Sequence, residues 1–510
     1  MSGGPDDAVA PGPLVFRREM EPVEYLMFRG EQDPRSRSAM LSVVLLAEVP
    51  DMAALRTAFD RASRVVVRLR QRVVVPALPV APPEWVIDPD FDLDFHLRRS
   101  RLTEPGTIRH LLDVTQPIFA APFDTARPLW EAHLIDGITE GDAPAALVMK
   151  LNHAVTDGVG GVELFKQLYD LAPGVDRGPM PPLPVPEDLS PSELVRRAGR
   201  KAPITFVGDV SRRATRAIEL GNRAVRRPGR AVQDVGRFVG SARRVLGAPP
   251  VPPSPLLRRR SLGRRLDWLE LPFDPFRRAA KAAGGSVNDA YISAICGALR
   301  RYHEALGVPV DAVPLAMPVN LRSDDDPAGG NRFAGARIAA PVGDPDPARR
   351  ILTIREAVLG AVAEPAVNAL GAVAPVLSRL PAPLLGVLST TMASTDVQAS
   401  NVPGYPVVPY LAGVAVRKTL PFGPLPGVPM MVILLTQAGV CYVGVHYDTA
   451  SVTEHELFAA CLRAGFDEVV ALDPGPPSPA RKAPARKAPA RKAPTATART
   501  STAPARKGAR

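Results

Sequence analysis

Apolar runs and amphipathic stretches alternate along the first third of the chain. Continuous apolar runs predict buried strands, and apolar residues that recur every three or four positions predict helices. The predicted strands are residues 42–48, 130–135 and 145–151, and the predicted helices are residues 51–68 and 160–171. We expect Asp51 to cap the first helix, because its carboxylate can accept a hydrogen bond from an unpaired backbone amide.

The second half of the chain repeats this mixture of strand and helix patterns. The predicted strands are residues 265–271 and 313–321, and the predicted helices are residues 288–306 and 454–470. Two further apolar runs, 430–436 and 440–447, flank Gln437-Ala438-Gly439, which predicts a hairpin. Mixed strands and helices in both halves predict an α/β protein with two domains.

A long connector is predicted between the two halves. Residues 204–245 mix apolar side chains and arginines at roughly helical spacing, and Pro228-Gly229 divides them into two predicted helices. Such a helix either lies on a membrane surface or packs its apolar stripe on the protein body. The predicted organisation is a first domain over 1–175, a Pro- and Arg-rich helical connector over 176–262, a second domain over 263–473 and a disordered basic tail over 474–510.

Positive charge is concentrated in two segments. The formal net charge is +11, but residues 474–510 carry ten basic and no acidic residues, and residues 191–247 carry fourteen basic and four acidic residues. The tail repeats Ala-Arg-Lys-Ala-Pro, and its regular prolines and lack of large apolar side chains predict an extended, disordered segment. The rest of the chain is net negative, so we expect an anionic partner outside the core, either a membrane surface or nucleic acid.

Composition excludes several classes of protein. Hydrophobic residues make up 46% and charged residues 23% of the chain, so it can bury a sizeable core. Its 3 cysteines are far apart, which argues against a disulfide scaffold or a cysteine zinc site and suits a reducing cytosol. We expect no signal peptide. We also expect no transmembrane helix, since the most apolar region, 365–395, contains four prolines and Arg379.

One histidine has a sequence context that favours catalysis. His153 follows the predicted strand ending at Leu151 and precedes a Gly-rich turn, so its imidazole is expected at the mouth of a strand. An imidazole titrates near neutral pH and can take a proton from a hydroxyl. Asp157 is expected either to orient this loop or to cap the helix that begins at Gly158 or Val159. No nucleophile elbow, P-loop or metal-ligand spacing is present in the sequence.

The residues around His153 resemble a family motif. Asn152-His153-Ala154-Val155-Thr156-Asp157-Gly158 is similar to the H-H-x-x-x-D-G motif of the bacterial wax ester synthase/acyl-CoA:diacylglycerol acyltransferase family. Six further segments resemble motifs of this family: Trp85-Val86, Phe91-Asp92-Leu93 with His96, Arg127-Pro128-Leu129-Trp130-Glu131, Gly285-Ser286-Val287-Asn288-Asp289-Ala290, Met317-Pro318-Val319-Asn320-Leu321-Arg322 and Ser400-Asn401-Val402-Pro403-Gly404. The resemblance extends from about Met20 to Leu472.

The resemblance implies a fold and an activity. It implies two chloramphenicol-acetyltransferase-like domains with the active site in a tunnel between them. It also implies transfer of a long-chain fatty acyl group from acyl-CoA to diacylglycerol, giving triacylglycerol, or to a long-chain alcohol, giving a wax ester. We expect no cofactor and no metal, with acyl-CoA as co-substrate, because an acyl thioester is already activated.

The resemblance also implies roles for residues near the histidine motif. His153 matches the second motif histidine, which is the general base. Asn152 stands at the position of the first histidine, where an amide can hold the loop through a hydrogen bond. Asp157 is expected to hold the loop geometry, and Gly158 to bind substrate or to shape the motif.

Three residues outside the histidine motif receive roles from the same resemblance. Asn288 is the candidate donor to the tetrahedral oxyanion, or else the cap of the helix it begins. Asp289, its neighbour, is expected to bind substrate or to shape that motif. Trp130 is expected either to wall the acyl channel or to be an ordinary core residue.

The sequence leaves two alternative functions open and predicts where the protein acts. The alternatives are another acyltransferase of the same superfamily, of the condensation or polyketide-modifying type, and a weakened lipid-binding homologue in which Asn152 has replaced a histidine. We expect a cytoplasmic protein in peripheral contact with the inner face of the plasma membrane or with lipid inclusions. Binding of the basic tail to nucleic acid is the alternative to this membrane contact.

Overall fold

The computed structural model of the protein describes residues 16–79, 81–155, 164–200, 249–320, 333–363, 374 and 395–475. All of them except Gly475 belong to one compact unit, Met1–Pro474. The predicted connector helices over 204–245 lie outside the described residues, as do Asp157, Gly158 and nearly all of the predicted tail.

The first part of the chain supplies seven strands and four helices with described bounds, and residues 164–168 and 191–200 are also helical. The helices are α1 Pro22–Gly30, α2 Met52–Val65, α3 Leu93–His96 and α4 Ile108–Ala120, and the strands are β1 Ala39–Leu46, β2 Gln71–Val74, β3 Glu84–Ile87, β4 Leu97–Arg101, β5 Trp130–Asp136, β6 Ala145–Asn152 and β7 Tyr169–Asp170. Asp51 caps α2 as predicted, since its carboxylate accepts from the Ala54 amide at 3.0 Å.

The second part supplies a further four helices and eight strands within the described ranges. The helices are α5 Phe273–Ala282, α6 Val287–Ala305, α7 Pro347–Val362 and α8 His455–Val470, and the strands are β8 Arg264–Pro272, β9 Val313–Asn320, β10 Phe333–Ala340, β11 Val397–Pro403, β12 Tyr410–Leu411, β13 Val414–Phe422, β14 Met430–Gln437 and β15 Val440–Asp448. The predicted hairpin is the pair β14 and β15.

The first sheet joins strands from both halves of the chain. Its order is β4-β5-β6-β1-β13-β12-β7, with β1 antiparallel to both β6 and β13. The predicted helix over 160–171 is too long, because Tyr169 and Asp170 leave the helix to form β7 and pair with β12. Strand β6 is paired on both sides, by β5 and β1. The residue that follows β6 therefore lies at the end of a strand that is held from both sides.

The second sheet carries the second hydrophobic core. Its order is β10-β9-β11-β14-β15-β8, and α6 packs against α5, α7 and α8. Most residues of α6 are buried, as expected of a helix enclosed by its neighbours. The first core is built separately, around the first sheet and α2. Burial of each large apolar side chain in these cores contributes about 1.5–3 kcal/mol to stability.

Candidate functional site

The turn that holds His153 begins where β6 ends. Asn152 is the last residue of β6 and lies opposite Ala39 of β1. The backbone N–H of His153 donates to the Ser38 carbonyl at 2.9 Å, and the N–H of Val155 donates to the Asn152 carbonyl at 2.9 Å. These bonds fix the half-buried His153 at the end of a central strand, where the sequence predicted a catalytic imidazole.

Asn152 is fully buried and uses both ends of its amide. Its Nδ2 donates to Oε2 of Glu31 at 2.9 Å, and its Oδ1 accepts from the Ala154 backbone N–H at 2.9 Å. A buried amide with a free donor or acceptor would cost about 1–3 kcal/mol, so these bonds hold the side chain in one orientation. Asn152 therefore links Glu31 to the backbone of the His153 turn.

A buried pair of charges lies beside Asn152. Glu31 is 2% exposed, and the Lys150 side chain is completely buried on β6, two residues before Asn152. The Lys150 ammonium donates to the Ala121 carbonyl at 2.8 Å and lies 3.9 Å from Oε1 of Glu131. Burial raises the pKa of Glu31, against the opposing effects of the Phe123 amide and of Lys150. Burial lowers the pKa of Lys150, against the attraction of both carboxylates.

Glu31 and Lys150 were not predicted from the sequence as functional residues. Lys150 carried a usable signal, since it is the one charged residue of the otherwise apolar strand β6. A cation within a buried strand implies a buried counter-charge. Glu31 had no such signal, because it follows α1 in an ordinary polar stretch.

Trp130 is a core residue. It is 1% exposed, its ring stacks between Phe59 and His96 at centroid distances of 5.5 and 4.6 Å, and its indole N–H donates to the Leu69 carbonyl at 2.8 Å. Nδ1–H of His96 donates to the Trp130 carbonyl at 2.7 Å, and burial lowers the pKa of His96 to about 4. Of the two roles expected for Trp130, these contacts favour that of an ordinary core residue over that of lining the acyl channel.

Asn288 does not cap its helix, contrary to one of its two expected roles. The cap of α6 is Ser286, whose Oγ accepts from the Asp289 amide at 3.2 Å while the Asp289 carboxylate accepts from the Ser286 amide at 2.8 Å. Asp289 is therefore a structural residue of its motif. The Asn288 Nδ2 lies 3.9 Å from the Met317 sulfur, a weak acceptor, so the Asn288 amide makes no capping contact.

A cavity lies between the two halves of the chain close to the His153 turn. Its volume is about 220 Å³, and its lining includes Arg37, Ala39 and Phe119 from the first half and Arg264 and His446 from the second. Ala39 is the strand partner of Asn152, so the cavity borders the end of β6. Burial lowers the pKa of His446 to about 3, and the imidazole therefore stays neutral. The lining combines apolar surface with two guanidinium groups.

Two further observations concern metals and membranes. Within the part of the chain that the structure describes, no three His, Cys, Asp or Glu side chains are grouped closely enough to hold a metal ion. Of the helices in the same residues, none is both long enough and apolar enough to cross a membrane.

The sequence matches two family models and a close relative. The model of the wax ester synthase/diacylglycerol acyltransferase catalytic domain matches residues 12–291, and the model of the WS/DGAT C-terminal domain matches residues 329–469. A Mycobacterium tuberculosis protein whose name assigns it to the diacylglycerol O-acyltransferases is 50% identical over 458 residues. That alignment covers 90% of this chain and 93% of the relative.

Solved structures share the fold. The wax ester synthase/diacylglycerol acyltransferase from Marinobacter aquaeolei VT8 matches with a TM-score of 0.58 at 20% identity, covering 88% of this chain and 98% of that one. The first condensation domain of the calcium-dependent antibiotic synthetase matches with a TM-score of 0.54 at 15% identity, covering 91% and 98%. At these identities the likeness concerns the fold alone, and the predicted two-domain α/β architecture is confirmed.

Proposed function

We propose that this chain, which belongs to the wax ester synthase/diacylglycerol acyltransferase family, transfers a long-chain acyl group from acyl-CoA to a hydroxyl of diacylglycerol. The observation that carries the proposal is the match of both family models along the chain. The resemblance of the segment around His153 to the family's histidine motif supports it. The 50% identical relative named for the same activity supports it. Long-chain alcohols are a second class of acceptor, because the family name covers wax ester synthesis.

In the proposed reaction His153 is the general base. Its neutral imidazole takes the proton of the acceptor hydroxyl while that oxygen attacks the thioester carbonyl. The tetrahedral intermediate collapses as the carbon–sulfur bond breaks, and the imidazolium returns the proton to the CoA thiolate. A positioned base of this kind contributes about 10²–10⁴-fold to the rate. The thioester needs no further activation, so we propose acyl-CoA as co-substrate and no other cofactor.

The intermediate needs a hydrogen-bond donor for its oxyanion, and we assign this role to Asn288. Preorganised donors of this kind contribute about 10²–10³-fold each. The Asn288 amide is not used in the helix cap, and among the described residues its acceptor is the weak Met317 sulfur, so it can turn to an oxyanion at little cost. Asp157 and Gly158, which lie outside the described residues, are proposed to shape the loop on the other side of His153.

The direct test is a substrate screen with purified protein. Palmitoyl-CoA is incubated with dioleoylglycerol or with hexadecanol, and neutral lipids are separated by thin-layer chromatography. We expect triacylglycerol from the first acceptor and, at a lower rate, wax ester from the second. A folded protein that forms neither ester would refute the proposal and favour the lipid-binding homologue. Acyl transfer only to amine acceptors, giving amides and no ester, would favour the condensation-type alternative, which rests on fold likeness alone.

We further propose that the protein works in the cytoplasm at an anionic lipid surface, on the inner face of the plasma membrane or on lipid inclusions. The long apolar substrates and the two basic segments over 191–247 and 474–510 support this. A basic residue near an anionic leaflet contributes up to roughly 1 kcal/mol at modest salt, and less in a flexible segment.

The test compares the full chain with a truncation of 474–510 in co-sedimentation with anionic vesicles and in a DNA mobility assay at matched salt. We expect truncation to weaken vesicle binding and to spare turnover with soluble substrate. If truncation abolishes DNA binding and leaves vesicle binding unchanged, the tail binds nucleic acid instead.

A further inference from the structure

We propose that Glu31 is a positioning residue for the His153 turn and acts through Asn152. The inference rests on the proposed role of His153 as the general base. It concerns a residue that lies outside the sequence motifs named above.

Two hydrogen bonds in series connect Glu31 to the turn. Oε2 of Glu31 accepts from Nδ2 of Asn152 at 2.9 Å, and Oδ1 of Asn152 accepts from the Ala154 N–H at 2.9 Å. Ala154 follows His153 directly, and the His153 N–H is itself held by the Ser38 carbonyl. The peptide groups on both sides of the imidazole are therefore fixed, one by Ser38, which directly precedes β1, and the other by the Glu31–Asn152 relay.

Glu31 is itself held firmly enough to serve as an anchor. It is the C-cap residue of α1, it is 2% exposed, and its Oε1 accepts from the Phe123 N–H at 3.0 Å. The Arg37 guanidinium lies 3.8 Å from the same oxygen. Each carboxylate oxygen thus meets a donor, and the side chain has no room to turn away from Asn152.

The identity of residue 152 fits this anchor. An amide offers one donor and one acceptor at the same distance from the backbone, which is what a carboxylate on one side and an N–H on the other require. A carboxylate at 152 would face Glu31 with like charge, and a small apolar residue would leave both groups unpaired. Glu31 therefore specifies a side chain that can donate and accept at once.

The first variant is Glu31→Gln, which has nearly the same shape. The two oxygens of Glu31 accept from Phe123 and Asn152, but the glutamine amide has one oxygen and one NH₂ group. Either the Phe123 N–H or the Asn152 NH₂ would therefore face the NH₂ of the new glutamine and lose its acceptor. We expect kcat to fall by about 10- to 100-fold, because small displacements of a catalytic group are costly, while the KM for palmitoyl-CoA changes little. The matched control is Glu131→Gln, which removes a second carboxylate near Lys150 that does not contact Asn152. We expect this control to retain its kcat.

The decisive variant is the double change Glu31→Gln with Asn152→Asp. It reverses the hydrogen bond, since the new amide donates to the new carboxylate, while its oxygen still accepts from Phe123 and the carboxylate still accepts from Ala154. We expect the double variant to recover most of the lost kcat, whereas Asn152→Asp alone, with two carboxylates in contact, stays impaired. If Glu31 had a purely structural role, the double variant would recover its thermal stability but not its kcat. That result would overturn the proposal.

A second readout separates this proposal from the proposed function. Hydrogen exchange at the Ala154 amide, followed by mass spectrometry, reports the relay without any turnover. We expect exchange to be faster in Glu31→Gln and to slow again in the double variant. If the wild type shows no turnover with any acceptor, the function is wrong and the exchange data still test the relay. Unchanged exchange and unchanged kcat in a folded Glu31→Gln protein would refute the relay itself.

Discussion

Asn152 and His153 are neighbours in the chain with opposite surroundings. Asn152 is fully buried and has both polar atoms bonded to protein, whereas His153 is half-buried in a turn at the end of β6. At the scale of single residues, the first therefore fixes the backbone, and the second is placed where a substrate hydroxyl can reach it. Because the turn remains held with Asn152 at the position of the first motif histidine, we expect the activity to be retained.

The role of Asn288 is open to a paired test. Asn288→Ala removes the proposed oxyanion donor and should lower kcat by about 10²–10³-fold with little effect on unfolding. Ser286→Ala removes the cap of the same helix and should instead lower the free energy of unfolding by about 1 kcal/mol. Steady-state kinetics and urea denaturation of both variants check this. Normal turnover of Asn288→Ala would exclude the amide as the donor.

The titration of the buried Asp396 is expected to make the free energy of unfolding depend on pH. This buried carboxylate accepts from the Ser254 N–H at 2.6 Å, and burial raises its pKa to about 7, against the opposing effects of that amide and of Arg260. An unfolded Asp titrates near about 4, so the folded state binds the proton more tightly. Its contribution to stability is full below about pH 4 and is lost as the pH rises through 7.

We therefore expect Asp396→Asn to raise the free energy of unfolding by roughly 4 kcal/mol at pH 8 but by only about 1–2 kcal/mol at pH 5. Urea denaturation at the two pH values measures this difference. An equal effect of the substitution at both pH values would show that Asp396 is ionised in the folded protein throughout this range.

At the scale of elements, local sequence patterns predicted two kinds of element. These are strands that pair with a neighbour in sequence and helices whose apolar periodicity extends over many residues. The hairpin of β14 and β15 and the helices α6 and α8 belong to this group. The strands β12 and β13 were not predicted. They pair with each other across a tight turn, but each also pairs with a strand hundreds of residues earlier in the chain, β7 for β12 and β1 for β13. Glu31 escaped prediction for the same reason, since 121 residues separate it from Asn152.

The passage of β13 past β15 depends on a glycine. A Cβ on Gly444 of β15 would collide with the carbonyl oxygen of Pro421 in β13, where the two sheets touch. Gly444→Ala should lower the free energy of unfolding by about 1–3 kcal/mol, as overpacking does. Gly360→Ala on α7 is the control, since a Cβ there meets nothing within 4 Å and should stabilise the helix by about 0.5–1 kcal/mol. Equal unfolding midpoints for Gly444→Ala and the wild type would contradict this packing.

At the scale of the whole molecule, strands from the second half complete the sheet that carries His153. The cavity of about 220 Å³ is lined from both halves and borders the end of β6. The sequence predicted a two-domain α/β protein and a histidine at the end of a strand, which is where His153 lies. The exchange of strands that joins the halves was not predicted, since it depends on contacts between distant segments. The described structure thus supports a reaction carried out where the two halves meet.

The most direct test of this account is the turnover of His153→Ala with palmitoyl-CoA and dioleoylglycerol, normalised to folded protein by circular dichroism. Because a positioned general base contributes about 10²–10⁴-fold, we expect triacylglycerol formation to fall by that factor while the unfolding midpoint stays close to that of the wild type. A folded His153→Ala protein that forms triacylglycerol at nearly the wild-type rate would contradict the account.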